Sequence, residues 1–237
     1  AEEKALQRIA SMAGGDARQA LTRLEFITAS IAARGGTLLT EEGVLSDLPL
    51  AVVRFDKASE DHFAVISALI KSIRGSDPDA AVYWLARLLA GGENLRFICR
   101  RLLISAAEDV GLADPNALTV TASAVQAVEM TGLPEARIIL AEVVIYLAAA
   151  PKSNSAYLAV DSAAKAIEKG DLQEVPFHLR PDGSGYVYPH DDPRHWVPQQ
   201  YMDRQRRFYF PGTLGIEGEM ASRLRKFWRR FSEGGDS

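Results

Sequence analysis

Up to Lys169 the apolar positions of this chain recur three and four residues apart, the spacing of one face of an α-helix. Ala5, Leu6, Ile9 and Ala10 share one such face. Ala20, Leu21, Leu24, Ile27, Ala29 and Ile31 make the next. Ala13-Gly14-Gly15 separates the two, Asp16 is placed to cap the second, and Arg34-Gly35-Gly36 ends it. Thr40 to Val53 reads as a connector holding a short helix or strand. From Asp61 a new stripe of Phe63, Ile66, Leu69 and Ile70 runs to a stop at Gly75. Asp77 then caps a helix whose first position is Pro78, where the missing N–H costs nothing. Asp114-Pro115 repeats the device, Gly132-Leu133-Pro134 joins two more helices, and Pro151 to Ser153 precedes another that ends near Lys169. About six helices with short joins predict a mainly α fold, a helical bundle.

After Gly170 the texture changes. Six of the eleven prolines fall between Pro176 and Pro211, with Tyr, His and Gly among them. Val175 to Leu179 and Tyr186 to Tyr188 are spaced to pair as a short hairpin across Pro181 to Gly185. The remainder reads as an extended Pro/Tyr-rich arm. Gly215 to Phe231 returns to helical spacing, with Leu224, Phe227, Trp228 and Phe231 on one side and Arg223, Lys226 and Arg230 on the opposite face. Residues from Ser232 on are expected to fray.

Composition narrows the function classes. A chain of 237 residues, 47% hydrophobic and 24% charged, sits at globular averages and needs neither disulfides nor metals for a core. Its net charge of −4 gives no bulk support for nucleic-acid binding, so any such contact must come from a local patch. Residues 204–230 supply one, with eight Lys or Arg against Glu217 and Glu219 for a net of +6. That stretch reads either as a solvated helix face or as a phosphate-binding one. Cys99, the single cysteine, is flanked by apolar residues and reads as a buried thiol in a reducing, cytoplasmic setting. No apolar run reaches the length of a membrane span.

Catalytic motifs are missing. The chain has no Gly-x-x-x-x-Gly-Lys-Ser/Thr loop to cradle phosphates, no Asp-Glu pair closing an apolar strand, no His-Glu-x-x-His and no Gly-x-Ser-x-Gly. His178, His190, His195 and Asp191 lie in the arm without a spacing that would converge on a metal or an acid–base pair, which disfavours an enzyme built there.

Several separate strings bear a resemblance. They are Arg54-Phe55-Asp56-Lys57, Ile70 to Leu89, Arg96 to Leu102, Ala107 to Pro115, Gly132 to Glu135, Ile145 to Ser155, Val175 to Arg180, Gly185 to Asp191 and Phe210-Pro211. In this order, over nearly the whole chain, they resemble the C-terminal region of the RarA/MgsA family of AAA+ ATPases. Two departures lie in the arm: a short join between Arg180 and Gly185, and no Leu-Pro in Gln200 to Asp203.

The resemblance implies a remnant of the AAA+ lid at 1–35, a connector at 36–60, and a helical oligomerisation domain like the clamp-loader collar at 61–170. The arm and C-terminal helix fill 171–237. By the same resemblance Arg18, in Gly14-Gly15-Asp16-Ala17-Arg18, matches the sensor-2 arginine that reaches the nucleotide γ-phosphate; a permanently charged, forked guanidinium suits that task. The implied cofactors, ATP and Mg²⁺, belong to the parent protein, and this chain alone is not expected to hydrolyse ATP. The implied role is replication-fork maintenance, recombination and DNA repair as a homotetramer, with single-stranded-DNA-binding protein as a partner and no membrane association. The alternative is a DNA-binding helical module using the basic C-terminal helix.

DNA-contact candidates are Lys71, Arg74, Lys152, Arg223, Lys226 and Arg230. Lys152 precedes a helix start whose free N–H groups suit an anion, although Ser153 or Asn154 is equally placed to cap it. Trp84, Trp196 and Trp228 are the candidate anchors of a subunit interface.

Overall fold

Ten α-helices account for most of the described residues, which are 1–13, 17–47 and 61–232 of a computed structural model, and no strand occurs among them. The chain divides into two units. One is Ala1–Leu102 with Thr121–Ala149; the other is Leu103–Val120 with the chain from Ala150 onward.

The first unit begins with α1 (Glu3–Met12), α2 (Ala17–Ala33) and α3 (41–47). Ala5 and Ile9 of α1, Ile27 of α2, Leu39 and Val44 form their buried core, flanked by Leu24, Phe26 and Ile31. The predicted stripes are narrower than expected. Leu6 is 42% exposed and Leu21 63%, and Ala10 and Ala29 are also outside, so each helix buries one line of residues. Buried Asp47 of α3 pairs with Arg34, in the turn after α2. Gly14, Gly15, Asp16 and residues 48–60, including the Arg54 to Lys57 string, lie outside the described residues.

α4 (Asp61–Arg74), α5 (Pro78–Ala90), α6 (Leu95–Ser105), α7 (Asn116–Thr131) and α8 (Ala136–Ala149) follow, and α4, α5 and α8 pack on one another. Their interior is aliphatic: Ile66, Leu69, Ile73, Leu85, Leu88, Ile98, Leu102, Leu140, Val144 and Leu147 are all buried. Phe63 is not part of it and stands 69% exposed. The buried arc of α4 centres on Leu69 and Ile73, and Phe63 falls at its edge. Cys99 is buried, and burial pushes its thiol pKa up. The Gly75-to-Pro78 joint forms as its residues dictate. The Gly75 N–H donates to the Lys71 carbonyl at 2.8 Å, and the Ala80 N–H donates to Asp77 Oδ1 at 2.9 Å. At Asp114 the device recurs, its Oδ1 accepting from the Asn116 N–H at 3.2 Å.

The second unit is built differently. The end of α6 widens into a π-turn (Ala106–Val110) and a 3₁₀ turn (Gly111–Ala113), against which α9 (Ser155–Glu168) and α10 (Gly215–Phe227) pack. Its buried apolar residues are small: Ala106, Val110, Ala113, Ala117, Ala150, Val197 and Ala221. Two glycines permit this closeness. Gly111 has φ +51, and a Cβ there would lie 2.4 Å from the Ser153 carbonyl oxygen. Gly215 has φ +56, and a Cβ there would lie 2.0 Å from that of Ala113. Any side chain at either position would collide with backbone.

Two expectations for the arm are corrected. No hairpin forms: Phe177–Leu179 is a 3₁₀ turn after Pro176, and Val187 is bracketed by the Gln199 side chain, at 3.2 and 2.8 Å, instead of by a strand. α10 stops at Phe227. Trp228 is extended, and a 3₁₀ turn (Arg229–Phe231) follows, so Arg230 does not share a helix face with Arg223 and Lys226.

Candidate nucleic-acid and assembly interface

A buried carboxylate organises the second unit. Glu217, in the first turn of α10, is 0% exposed. Its Oε1 accepts from the Ser155 hydroxyl, at the first residue of α9, and from the Tyr209 hydroxyl at 2.9 Å. Oε2 lies beside Gly212 and Ser153 but meets neither at full hydrogen-bond geometry. Burial alone would raise the Glu217 pKa. The surrounding hydroxyls and the Gly212 N–H outweigh it and hold the carboxyl below its usual range. The helix dipole at the start of α10 acts in the same sense. Tyr209 moves the other way: burial, then the adjacent carboxylate, pushes its phenol well above the ordinary value. A second polar knot adjoins. The Ser105 hydroxyl donates to Asp109 Oδ2 at 2.7 Å, and the Ser153 N–H donates to the Asp109 carbonyl at 2.8 Å.

These contacts settle how the turn before α9 is used. The Ser155 N–H donates to Ser153 Oγ at 3.3 Å, while Asn154 makes no side-chain cap bond. Lys152 turns inward and donates to the Ala150 carbonyl at 2.5 Å. Burial lowers its pKa, against the pull of Asp109. The anion at this corner is Glu217, an internal one.

The basic stretch is thinner as free charge than its sequence. Asp171, 11% exposed, holds both Arg204 and Arg206 at 2.7 Å. Arg207 lies over Phe210 at 4.3 Å and over Phe231 at 5.2 Å. Arg230 lies over Trp228 at 4.2 Å and over Phe231 at 5.5 Å. Arg223, Lys226 and Arg229 are exposed and carry no ion pair or ring contact among the described residues.

Trp196 stacks on Phe227 at 5.5 Å and meets the edge of Trp228 at 5.6 Å, with Tyr201 6.2 Å from Trp228. Two of the three candidate anchors are thus engaged with each other. Trp84, half-buried on α5, touches Tyr83 and lies beneath Arg87. Lys71 and Arg74 sit exposed in the last turn of α4, where cations complement the helix dipole. Arg18 stands in the first turn of α2; its side chain is outside the described residues. The sequence reading missed Glu217, Tyr209 and Asp171 as organising groups. The one available signal was an acidic residue in the first turn of a basic helix.

A family profile described as MgsA AAA+ ATPase C terminal matches residues 75–228, and one described as AAA C-terminal domain matches residues 1–74. The chain belongs to the MgsA (RarA) family of AAA+ ATPases. Replication-associated recombination protein A of Bacillus subtilis is 41% identical, over 90% of this chain and 54% of that protein. The protein of the same name from Escherichia coli K12 is 37% identical, over 91% and 52%. An uncharacterized AAA domain-containing protein of Mycobacterium tuberculosis is 43% identical, over 93% and 52%. The chain spans about half the length of the curated relatives it matches.

The family implies ATP and Mg²⁺. Among the described residues no three His, Cys, Asp or Glu are grouped to hold a metal, and the sequence has no phosphate loop. Neither the sequence nor the described residues supply a phosphate loop or a grouped ligand set to hold them. No helix among the described residues is long and apolar enough to cross a membrane.

Proposed function

We propose that this chain is the assembly region of a AAA+ ATPase that works in replication-fork maintenance, recombination and repair. The observation that carries the reading is the pair of adjoining family matches, over 1–74 and 75–228, together with relatives named Replication-associated recombination protein A. Residues 1–35 are the lid remnant, with Arg18 as the sensor-2 arginine toward ATP held by a motor domain. Residues 36–60 connect, 61–170 form the assembly domain, and 171–237 are the arm and last helix. The motor domain supplies the ATP and Mg²⁺ site. DNA and single-stranded-DNA-binding protein are partners of the whole machine, in the cytoplasm.

Homotetramerisation is supported by α8. This helix is apolar on nearly every side. It packs on α4 and α5, yet Ile138 is 62% and Ile145 48% exposed, two turns apart with Ala141 between them. A helix apolar all round is one that is covered on both sides, and exposed apolar area of this kind marks a contact surface. Tyr83 is a further exposed ring, 61% exposed on α5. Light scattering on the 237-residue chain tests the reading. Four times the monomer mass is expected, and Ile145→Asp is expected to give smaller species. A strictly monomeric chain at high concentration overturns it.

A second reading, a DNA-binding module, is favoured by exposed Arg223 and Lys226 on α10. It predicts that Arg223→Gln with Lys226→Gln weakens low-salt binding to forked DNA and flattens its salt dependence; unchanged binding removes it.

A further inference from the structure

In sequence His190 and His195 have no spacing that converges on a metal, yet the fold brings them together. Their Nδ1 atoms lie 3.1 Å apart, with ring centroids at 5.2 Å and planes at 67°. The chain between them sets this geometry. Pro189–Asp191 is a 3₁₀ turn. Asp192 Oδ1 then accepts from the Arg194 N–H at 2.8 Å and from Arg194 Nε at 3.0 Å, and the His195 N–H donates to the Asp192 carbonyl at 2.8 Å. His195 has φ +51, a left-handed conformation that a β-carbon disfavours. Trp196, stacked on Phe227, anchors the far end of the loop. Packing does not account for the pair, because both imidazoles are exposed. The Tyr188 ring lies 5.1 Å from that of His190. Among the described residues neither imidazole makes a further hydrogen bond.

We propose that His190 and His195 form a two-histidine site for a divalent transition metal of the imidazole-preferring class, Zn²⁺ or Cu²⁺. Two imidazole nitrogens bound at about 2.0–2.1 Å stand roughly 3.3 Å apart on a tetrahedral metal and roughly 2.9 Å apart on a square-planar one. The observed 3.1 Å lies between these, so a small rotation of either ring completes the bite. Without metal the two nitrogens share one proton, which one Nδ1 donates to the lone pair of the other. On binding, that proton passes through solvent to Nε2 of its own ring. Both Nδ1 lone pairs then form bonds to the metal, with no change of oxidation state. Hard cations such as Mg²⁺ and Ca²⁺ take oxygen ligands and fall outside the class. No third His, Cys, Asp or Glu is grouped with the pair among the described residues, so water fills the remaining positions. The metal exchanges readily, and it pins the 189–195 loop. Asp192 and Trp196 already hold that loop, which lowers the ordering cost of binding. The site stands apart from the assembly and nucleic-acid readings and rests on neither.

The test is isothermal titration calorimetry of the 237-residue chain, free of any histidine tag, with ZnCl₂ and with MgCl₂. One Zn²⁺ is expected to bind per chain, and Mg²⁺ is expected to give no binding heat. His190→Asn and His195→Asn should each weaken Zn²⁺ binding at least about tenfold, since losing even a group that only orients a ligand costs that much. Asparagine tolerates the left-handed backbone, so His195→Asn keeps the loop's fold. A second measurement needs no substitution. Electron paramagnetic resonance of the chain with one equivalent of Cu²⁺ should show two imidazole nitrogens on the metal. One nitrogen or none overturns the proposal. So do Zn²⁺ affinities unchanged in both variants, Mg²⁺ binding as tight as Zn²⁺, or no Zn²⁺ binding at millimolar concentration.

Discussion

The two units bury different chemistry. In the first, Leu, Ile and Val side chains from α4 to α8 fill the interior, and the order of the fold follows from apolar area. In the second, the buried apolar residues are alanine and valine, and Ser105, Asp109, Ser155 and Glu217 are buried beside them. Apolar burial is non-directional and tolerates rearrangement as long as volume is kept. A buried carboxylate is tolerated only with its donors in place. Apart from local groups such as Asp47 with its Arg34 partner, the first unit is therefore specified by a pattern and the second by particular atoms.

The largest effect expected is in the first unit. Leu147 on α8 is 0% exposed. Leu147→Ala removes its side chain from a packed interior and should cost about 2–5 kcal/mol, read by urea unfolding. Val110→Ala, in the π-turn of the second unit, should cost about 1 kcal/mol, because less apolar volume is lost. Equal costs would break the comparison.

Next comes Glu217→Gln. The amide keeps the shape but cannot accept from every hydroxyl around it, and about 1.5–3 kcal/mol should be lost, the scale of a hydrogen bond to a charged group. The pH dependence follows from the lowered pKa. The folded-state value lies below the ordinary 4.5, so its contribution is fully present above about pH 4.5 and is lost as pH falls through the folded value. Thermal unfolding of the native chain should therefore fall more steeply below that pH than that of the Gln variant. Parallel acid profiles would remove Glu217 from its organising place.

How much was legible depends on range along the chain. α4, α5, α7 and α8 were readable because their starts, stops and stripes lie within a few residues of one another. Phe63 was misplaced because a stripe gives the period of the buried arc but not its centre, which is set by the helices it meets. Glu217 was invisible for a stronger reason. Its partners Tyr209 and Ser155 are 8 and 62 residues away, and in sequence it counted only as one negative charge in a basic stretch. The same holds for Asp171, whose arginines are 33 and 35 residues on. The end of α10 was missed because Trp228 leaves the helix toward Trp196 and Tyr201, which no helical period encodes.

The smallest effect expected sharpens this contrast between local and distant caps. Asp77 holds the first turn of α5 through one bond to Ala80, three residues on, and every group involved is at the surface. Asp77→Ala should cost about 1 kcal/mol, and Asp77→Asn nearly nothing, since the amide oxygen accepts the same bond. The Glu217 site should not be rescued in this way, because its amide would place a donor among hydroxyls that must themselves donate. Urea unfolding of the four single variants, Asp77→Ala, Asp77→Asn, Glu217→Ala and Glu217→Gln, reads the difference directly. If Gln at 217 restores stability as fully as Asn does at 77, the charge of Glu217 is incidental and the second unit is held by shape like the first. If it does not, the join of α9, α10 and the arm depends on an ionised carboxylate, held by Ser155 of α9 and Tyr209 of the arm.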